Sequence, residues 1–241
     1  MNQINKVELA ADDFSEDLAV QQTKLEQSED ISVIKGVLSE ILENTRRLGQ
    51  SGSDLKQGLA ETTQEILKLR SELEAVKQEA ITDGLTGLLN RRYLNKELAE
   101  LCHQGKNVFT LALFDLDNFK QLNDRFGHLL GDRVLQFFAS LLKKHCVDKP
   151  HIAARFGGEE MALIFIDTPS NIAVQIADNI RLQLAESNLK KKDSAETIGI
   201  VTVSVGLSQY QPGDTTLNII ERADVALYES KAAGRNCITL R

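Results

Sequence analysis

Arg155-Phe156-Gly157-Gly158-Glu159-Glu160-Met161 stands between two apolar runs, near 152–156 and 160–166, that read as the strands of a β-hairpin. The two glycines at its crest are expected to supply positive φ in a tight turn and to leave room for a ligand to approach the backbone. The adjacent carboxylates of Glu159 and Glu160 offer the hard oxygen donors that Mg²⁺ requires. Taken alone, such a crest also has the composition of an ordinary solvated turn.

A second acidic site lies upstream, in Leu111-Ala112-Leu113-Phe114-Asp115-Leu116-Asp117-Asn118-Phe119-Lys120. A buried strand that delivers Asp115 and Asp117 at its C-terminal end is a common way of positioning metal ligands for phosphoryl transfer. The chain continues through Asn123-Asp124-Arg125-Phe126-Gly127-His128-Leu129-Leu130-Gly131-Asp132 into a helix near 131–146 with Val134, Phe138, Leu141 and Leu142 on one face. Around these runs the pattern predicts a helix after the Asn90-Arg91-Arg92 turn, a strand near 108–114, helices near 170–187 and 217–233, a strand near 198–207 and a short final strand. The series is of the α/β (α+β) class, with a central, mostly antiparallel sheet flanked by helices.

Five spaced motifs run in order through this region, at Asp83 to Arg92, Asp115 to Asp124, Gly127 to Asp132, Gly157 to Glu160 and Lys231 to Asn236. In them the chain closely resembles the GGDEF family, the diguanylate cyclases, over residues 81–241. The resemblance implies a nucleotidyl-cyclase, polymerase-palm-like fold and the joining of two GTP molecules into cyclic di-GMP. It implies Mg²⁺, with Mn²⁺ as a substitute, on Asp115, Glu159 and the Leu116 carbonyl, and Glu160 either as a further ligand or as acceptor of the 3′-hydroxyl proton. By the same resemblance Asn123 and Asp132 read guanine, and Lys120, Lys231 and Arg235 clamp phosphate. Gly157 and Gly158 let phosphate lie against the turn, while Asp117, Asn118 and Phe119 shape a loop whose Asn118 and Phe119 N–H groups donate to phosphate. A carboxylate at Asp132 suits the N1–H and 2-amino donors of guanine and would be left unpaired against adenine. Met161 replaces the Phe usual after the hairpin carboxylates, an exchange of one core apolar group for another. The Arg-x-x-Asp product site is missing, since Asp148 and His151 stand where Arg and Asp belong. The alternative reading is a catalytically silent GTP or cyclic di-GMP-binding protein acting through a partner.

The first 80 residues lie outside the resemblance. They hold nine Lys/Arg against sixteen Asp/Glu, so the whole net charge of −7 sits there, while residues 81–241 hold nineteen of each. An acidic arm beside a neutral domain argues against nucleic-acid binding, which needs basic patches. Ile31, Ile34, Leu38, Ile41, Thr45, Leu48, Gly52, Leu55, Leu59, Thr62, Ile66, Leu69, Leu73, Val76 and Ala80 keep one heptad register. Residues 31–80 are therefore expected to form a coiled coil that joins two chains into a homodimer and controls the catalytic domains. Gly49-Gln50-Ser51-Gly52-Ser53 is expected to break that helix, leaving either a coiled coil with a flexible break or two helices folded back as a hairpin. Residues 1–30 are acidic and show little regular pattern, reading as disordered or ordered only on a regulatory protein partner that binds residues 1–80. No apolar run approaches the ~18 residues of a membrane span, and the N-terminus lacks the basic and apolar regions of a signal peptide, which points to the cytoplasm. Cys102, Cys146 and Cys237, odd in number and far apart, read as reduced thiols.

Overall fold

The computed structural model describes residues 3–27, 30–104, 108–187 and 199–241. They divide into two compact units, Met1–Val76 and Lys77–Arg241.

The first unit is helical. Helix α1 (Gln3–Glu26) runs antiparallel to the start of α2 (Ile31–Ile81), because Gln21 Nε2 donates to Glu40 Oε2 at 3.4 Å and Asn44 Nδ2 donates to Asp17 Oδ2 at 3.0 Å. The α1 helix replaces the irregular segment expected there; residues 1, 2, 28 and 29 lie outside the described residues. Its less exposed positions Phe14, Gln21 and Leu25 are spaced as a helical stripe, but a polar Gln21 in the middle hides the apolar period from a reading of sequence. The Asp30 carboxylate accepts from Ser32 N at 2.8 Å and starts α2. The helix then passes through Gly49–Ser53 without a break, and the fold-back lies before Asp30 instead. Each glycine costs about 1 kcal/mol against alanine, which the helical turns on either side outweigh; Phe14 and Leu48 line one cleft just before the first glycine.

The second unit is a six-stranded sheet in the order β1-β3-β4-β2-β5-β6, formed by Leu89–Asn90, Ile152–Arg155, Glu160–Ile166, Phe109–Leu116, Val203–Gln209 and Ile238–Leu240. The three central pairings are antiparallel and the two edge pairings parallel. The expected strand near 198–207 begins at Val203; position 198 lies outside the described residues.

All eight residues of β2 are buried, and their alternation divides the core. Ala112, Phe114 and Leu116 pack with α5 (His128–Lys144) and α6 (Ser170–Ala185) on one face, where Phe114 meets Phe138 edge to face with centroids 5.8 Å apart. Phe109, Leu111 and Leu113 pack with α3 (Arg91–Gln104) and α7 (Thr216–Ala232) on the other. Met161 is fully buried in the first cluster, in keeping with its apolar exchange. A short helix absent from the sequence reading, α4 (Phe119–Phe126), follows β2 and meets α5 at Gly127.

Candidate active site

The alternation that divides the core also gathers the acids. Asp115 continues the Phe109-Leu111-Leu113 face of β2, and its register partner on β4 is Glu160. Both therefore belong to the face covered by α3 and α7. Lys231, in the last turn of α7, reaches Asp115 Oδ2 at 2.7 Å. Asp115 is only 5% exposed.

The crest is built by backbone bonds into Glu160, whose carbonyl accepts from Phe156 N at 2.9 Å and Gly157 N at 3.1 Å. Neither Gly157 nor Gly158 lies in the left-handed region, so positive φ is not why glycine stands there. At Gly157 a Cβ would overlap the Glu160 carboxylate and push that flexible side chain aside, so glycine leaves Glu160 in its place; at Gly158 a Cβ would meet only open surroundings, which leaves the backbone approachable.

Three acids thus converge on the crest. Burial, followed by the charge of Asp115, pushes the Glu159 and Glu160 carboxyls above their ordinary range, with Lys231 pulling the other way. Burial likewise raises Asp115, against the hydrogen bond and charge of Lys231. Among the described residues no three acid, His or Cys side chains form a ready-made metal cage. That composition fits Mg²⁺, which is usually held by one or two carboxylates together with substrate phosphates rather than by protein alone. The raised carboxyls are a donor set short of positive charge.

Two residues that the sequence reading left without a role fix the crest. Arg155 Nη2 donates to Gly158 O at 2.7 Å, Nε to Gly157 O at 3.1 Å, and Nη1 to Asp83 Oδ2 at 3.1 Å. Burial opposes ionisation of Asp83, but hydrogen bonds from Thr86 and the Arg155 charge outweigh it and hold the carboxyl below its ordinary range. Arg91, at the start of α3, lies 4.3 Å over the Phe156 ring. The end of α2 is tied in as well: Ala80 O accepts from Asn90 Nδ2 at 2.9 Å and from Arg92 Nη2 at 3.0 Å. In the sequence, Asp83, Asn90, Arg91 and Arg92 fall inside the motif from Asp83 to Arg92, while Arg155 stands two residues before Gly157.

At the other end of the site Asn118, with φ 57°, precedes α4 and makes no side-chain capping bond among the described residues, so the backbone donors of its first turn remain open. Phe119 is buried and Lys120 exposed. Leu116 is buried between Asp115 and Asp117. Asn123, on α4, lies against Gly131 of α5, the residue before Asp132; its buried Oδ1 has no partner among the described residues. Asp132 sits a full turn inside α5, so it is no cap of that helix. Arg235 is exposed just beyond α7. Asp148 has φ 59°, and the His151 ring packs edge to face on Phe165 with Nδ1 buried and unpartnered among the described residues.

A family model described as diguanylate cyclase, GGDEF domain, matches residues 80–237. The diguanylate cyclase VdcA of Vibrio cholerae is 36% identical over 217 residues, covering 90% of this chain and 62% of VdcA, so the chain spans less than two thirds of that relative. The coiled coil and GGDEF domain of DgcB from Caulobacter crescentus, in complex with c-di-GMP, superposes with a TM-score of 0.72 at 38% identity over 78% of this chain and 99% of that one. Diguanylate cyclase SiaD of Pseudomonas aeruginosa, in complex with its activator SiaC, gives a TM-score of 0.64 at 27% identity over 93% of this chain and 89% of its own. Since the family match takes in five strands of the sheet and both helical faces around the carboxylate crest, the chain belongs to the diguanylate cyclase GGDEF-domain family.

Proposed function

We propose that the chain is a diguanylate cyclase that condenses two GTP molecules into cyclic di-GMP and two pyrophosphates at the interface of a homodimer. The observation that carries this reading is the convergence of three carboxylates, Asp115, Glu159 and Glu160, at the crest, each raised by burial, with the charge of Asp115 adding to the rise at Glu159 and Glu160. In each half-reaction a ribose 3′-oxygen bonds to the other nucleotide's α-phosphorus, the bond to pyrophosphate breaks with its electron pair leaving on pyrophosphate, and the 3′-hydroxyl gives up its proton. Mg²⁺ or Mn²⁺ bound here would neutralise charge on the phosphate oxygens. Asp115, Glu159 and the Leu116 carbonyl would hold that ion, and Glu160 would add a ligand or take the proton. Lys120, Lys231, Arg235 and the N–H groups of Asn118 and Phe119 bind phosphate oxygens, Gly157 and Gly158 admit them, and Asn123 with Asp132 selects guanine.

Each chain holds one GTP, so two sites must face each other, and a two-fold axis makes both attacks equivalent. Leu59, Ile66, Leu69, Leu73 and Val76 of α2 are exposed in the single chain and keep the heptad spacing, which supports a second copy on that stripe. The N-terminal helices, residues 1–80, are read as the regulatory arm that a protein partner binds, and the activator-bound state of SiaD supports the existence of such a partner. Among the described residues no helix is long and apolar enough to cross a membrane.

The test is direct: purified protein, Mg²⁺ and GTP, with products separated by chromatography. Cyclic di-GMP is expected from the native chain, and a loss of several orders of magnitude from Glu159→Ala or Asp115→Ala with the fold intact. Native protein that binds GTP without turnover, or a variant that keeps more than about a tenth of the activity, contradicts the assignment.

A further inference from the structure

After α7 the chain takes three positive φ values in succession, 115° at Gly234, 66° at Arg235 and 47° at Asn236. Gly234 ends the helix, with Arg235 N donating back to Ser230 O at 3.1 Å, and tolerates its conformation freely. Arg235 does not, and persists there only if the surrounding structure over-determines it. Asn236 is the point at which that happens. Its N–H donates to Asp117 Oδ2 at 3.0 Å, and Arg181 Nη1 donates to its main-chain O at 3.1 Å and to its Oδ1 at 2.9 Å.

Both partners are held in turn. Asp117 accepts from Ser204 Oγ at 2.6 Å and Thr202 Oγ1 at 2.7 Å, while Arg181 Nε donates to Asp178 Oδ1 at 2.8 Å. Asp117 is thus committed to protein donors two residues past Asp115, rather than offered to a cation. Arg181 lies on α6, outside all five motifs.

We infer that Arg181 and Asp117 are positioning residues for the triphosphate: by gripping Asn236 from two sides they fix the backbone of Arg235 relative to Lys231 and Asp115. This rests on the diguanylate cyclase reading and adds to it residues that touch no substrate. Arg181 acts through Arg235, so its removal weakens the grip on phosphate and leaves guanine recognition intact.

The experiment is a double-mutant cycle on the full chain, with Mg²⁺·GTP and GMP titrated calorimetrically into the native protein, Arg181→Gln, Arg235→Ala and the double variant, with a melting curve for each. Expected are a GTP affinity about tenfold lower in R181Q, the scale of one or two lost charge-assisted hydrogen bonds, unchanged GMP affinity, and little further loss when R181Q is added to R235A. In turnover the change should appear in KM more than in kcat, and Arg181→Lys should restore part of it. If R181Q does not fold, R181K, which keeps the charge but loses the fork, carries the same cycle with a smaller effect. Equal GTP and GMP losses, or an R181Q effect undiminished in the R235A background, overturns the inference while leaving the cyclase reading standing. Native protein that binds no GTP overturns both.

Discussion

Replacing Gly131 by alanine should lower GTP affinity without unfolding the protein. A Cβ at this position would overlap Asn123 Oδ1 outright and stand 3.0 Å from its Cγ and 3.1 Å from Phe119 Cζ, where carbon atoms settle at about 3.5–4.0 Å. The atoms that crowd it most are the far end of a two-torsion side chain, so the amide swings aside before the helices part. Turning it off its rotamer costs about 0.5–1.5 kcal/mol, a small fraction of the stability of a domain this size. The lost contact to guanine is worth another 0.5–1.5 kcal/mol or so. The rotamer cost is paid with or without ligand and lowers the melting temperature by a few degrees, while the lost guanine contact predicts a GTP dissociation constant raised about two- to tenfold and a reduced preference for GTP over ATP. Calorimetric titration of both nucleotides with Mg²⁺, alongside a melting curve, measures all three. Unchanged GTP affinity and selectivity in a protein that melts normally would refute the placement of Asn123 as a guanine reader.

A carboxyl raised in the folded state stabilises the fold below its unfolded pKa and loses that contribution as pH rises through the folded value. The ion-free protein should therefore lose stability above the ordinary carboxylate range through Asp115, Glu159 and Glu160, and Mg²⁺ with GTP should raise its melting temperature more at about pH 7.5 than at about pH 5; an equal shift at both would contradict the reading. Arg155→Ala frees Gly157 O and Gly158 O and takes the charge partner from Asp83, which keeps only its Thr86 bonds among the described residues, so a loss of about 1–3 kcal/mol and a larger loss of turnover are expected, and native activity from this variant would remove Arg155 from any role at the crest. Glu at both Leu69 and Leu73, which are exposed in the single chain, should leave the fold intact but separate the dimer, since a buried unpaired charge costs several kcal/mol; full, concentration-independent cyclisation by a monomer in light scattering would sink the dimer mechanism. Turnover should persist as product accumulates, apart from weak competition at the active site, because Asp148 and His151 replace the product-binding pair; tight calorimetric binding of cyclic di-GMP beside residues 148–155 would contradict this.

Local pattern determined much of this protein. The apolar run ending in Asp115, the glycine and glutamate crest, and the helical period of α5 and α7 are written among neighbours in sequence, where periods of 2 and 3.6 act directly on the backbone. The five motifs supplied the family and the candidate residues by number. Tertiary structure decided what neighbours cannot encode. It set α1 antiparallel to α2, with Gln21 meeting Glu40 and Asn44 meeting Asp17, and it carried α2 through Gly49 and Gly52, whose weak propensity the flanking turns override. It gave Gly157 a steric reason in place of a conformational one. Arg155 and Asp83 meet across 72 positions, and Asp117 and Asn236 across 119. Such pairs leave no period in the chain. They exist only once the sheet has brought strand ends together, which is why the carboxylates could be read from sequence and the residues that hold the site in place could not.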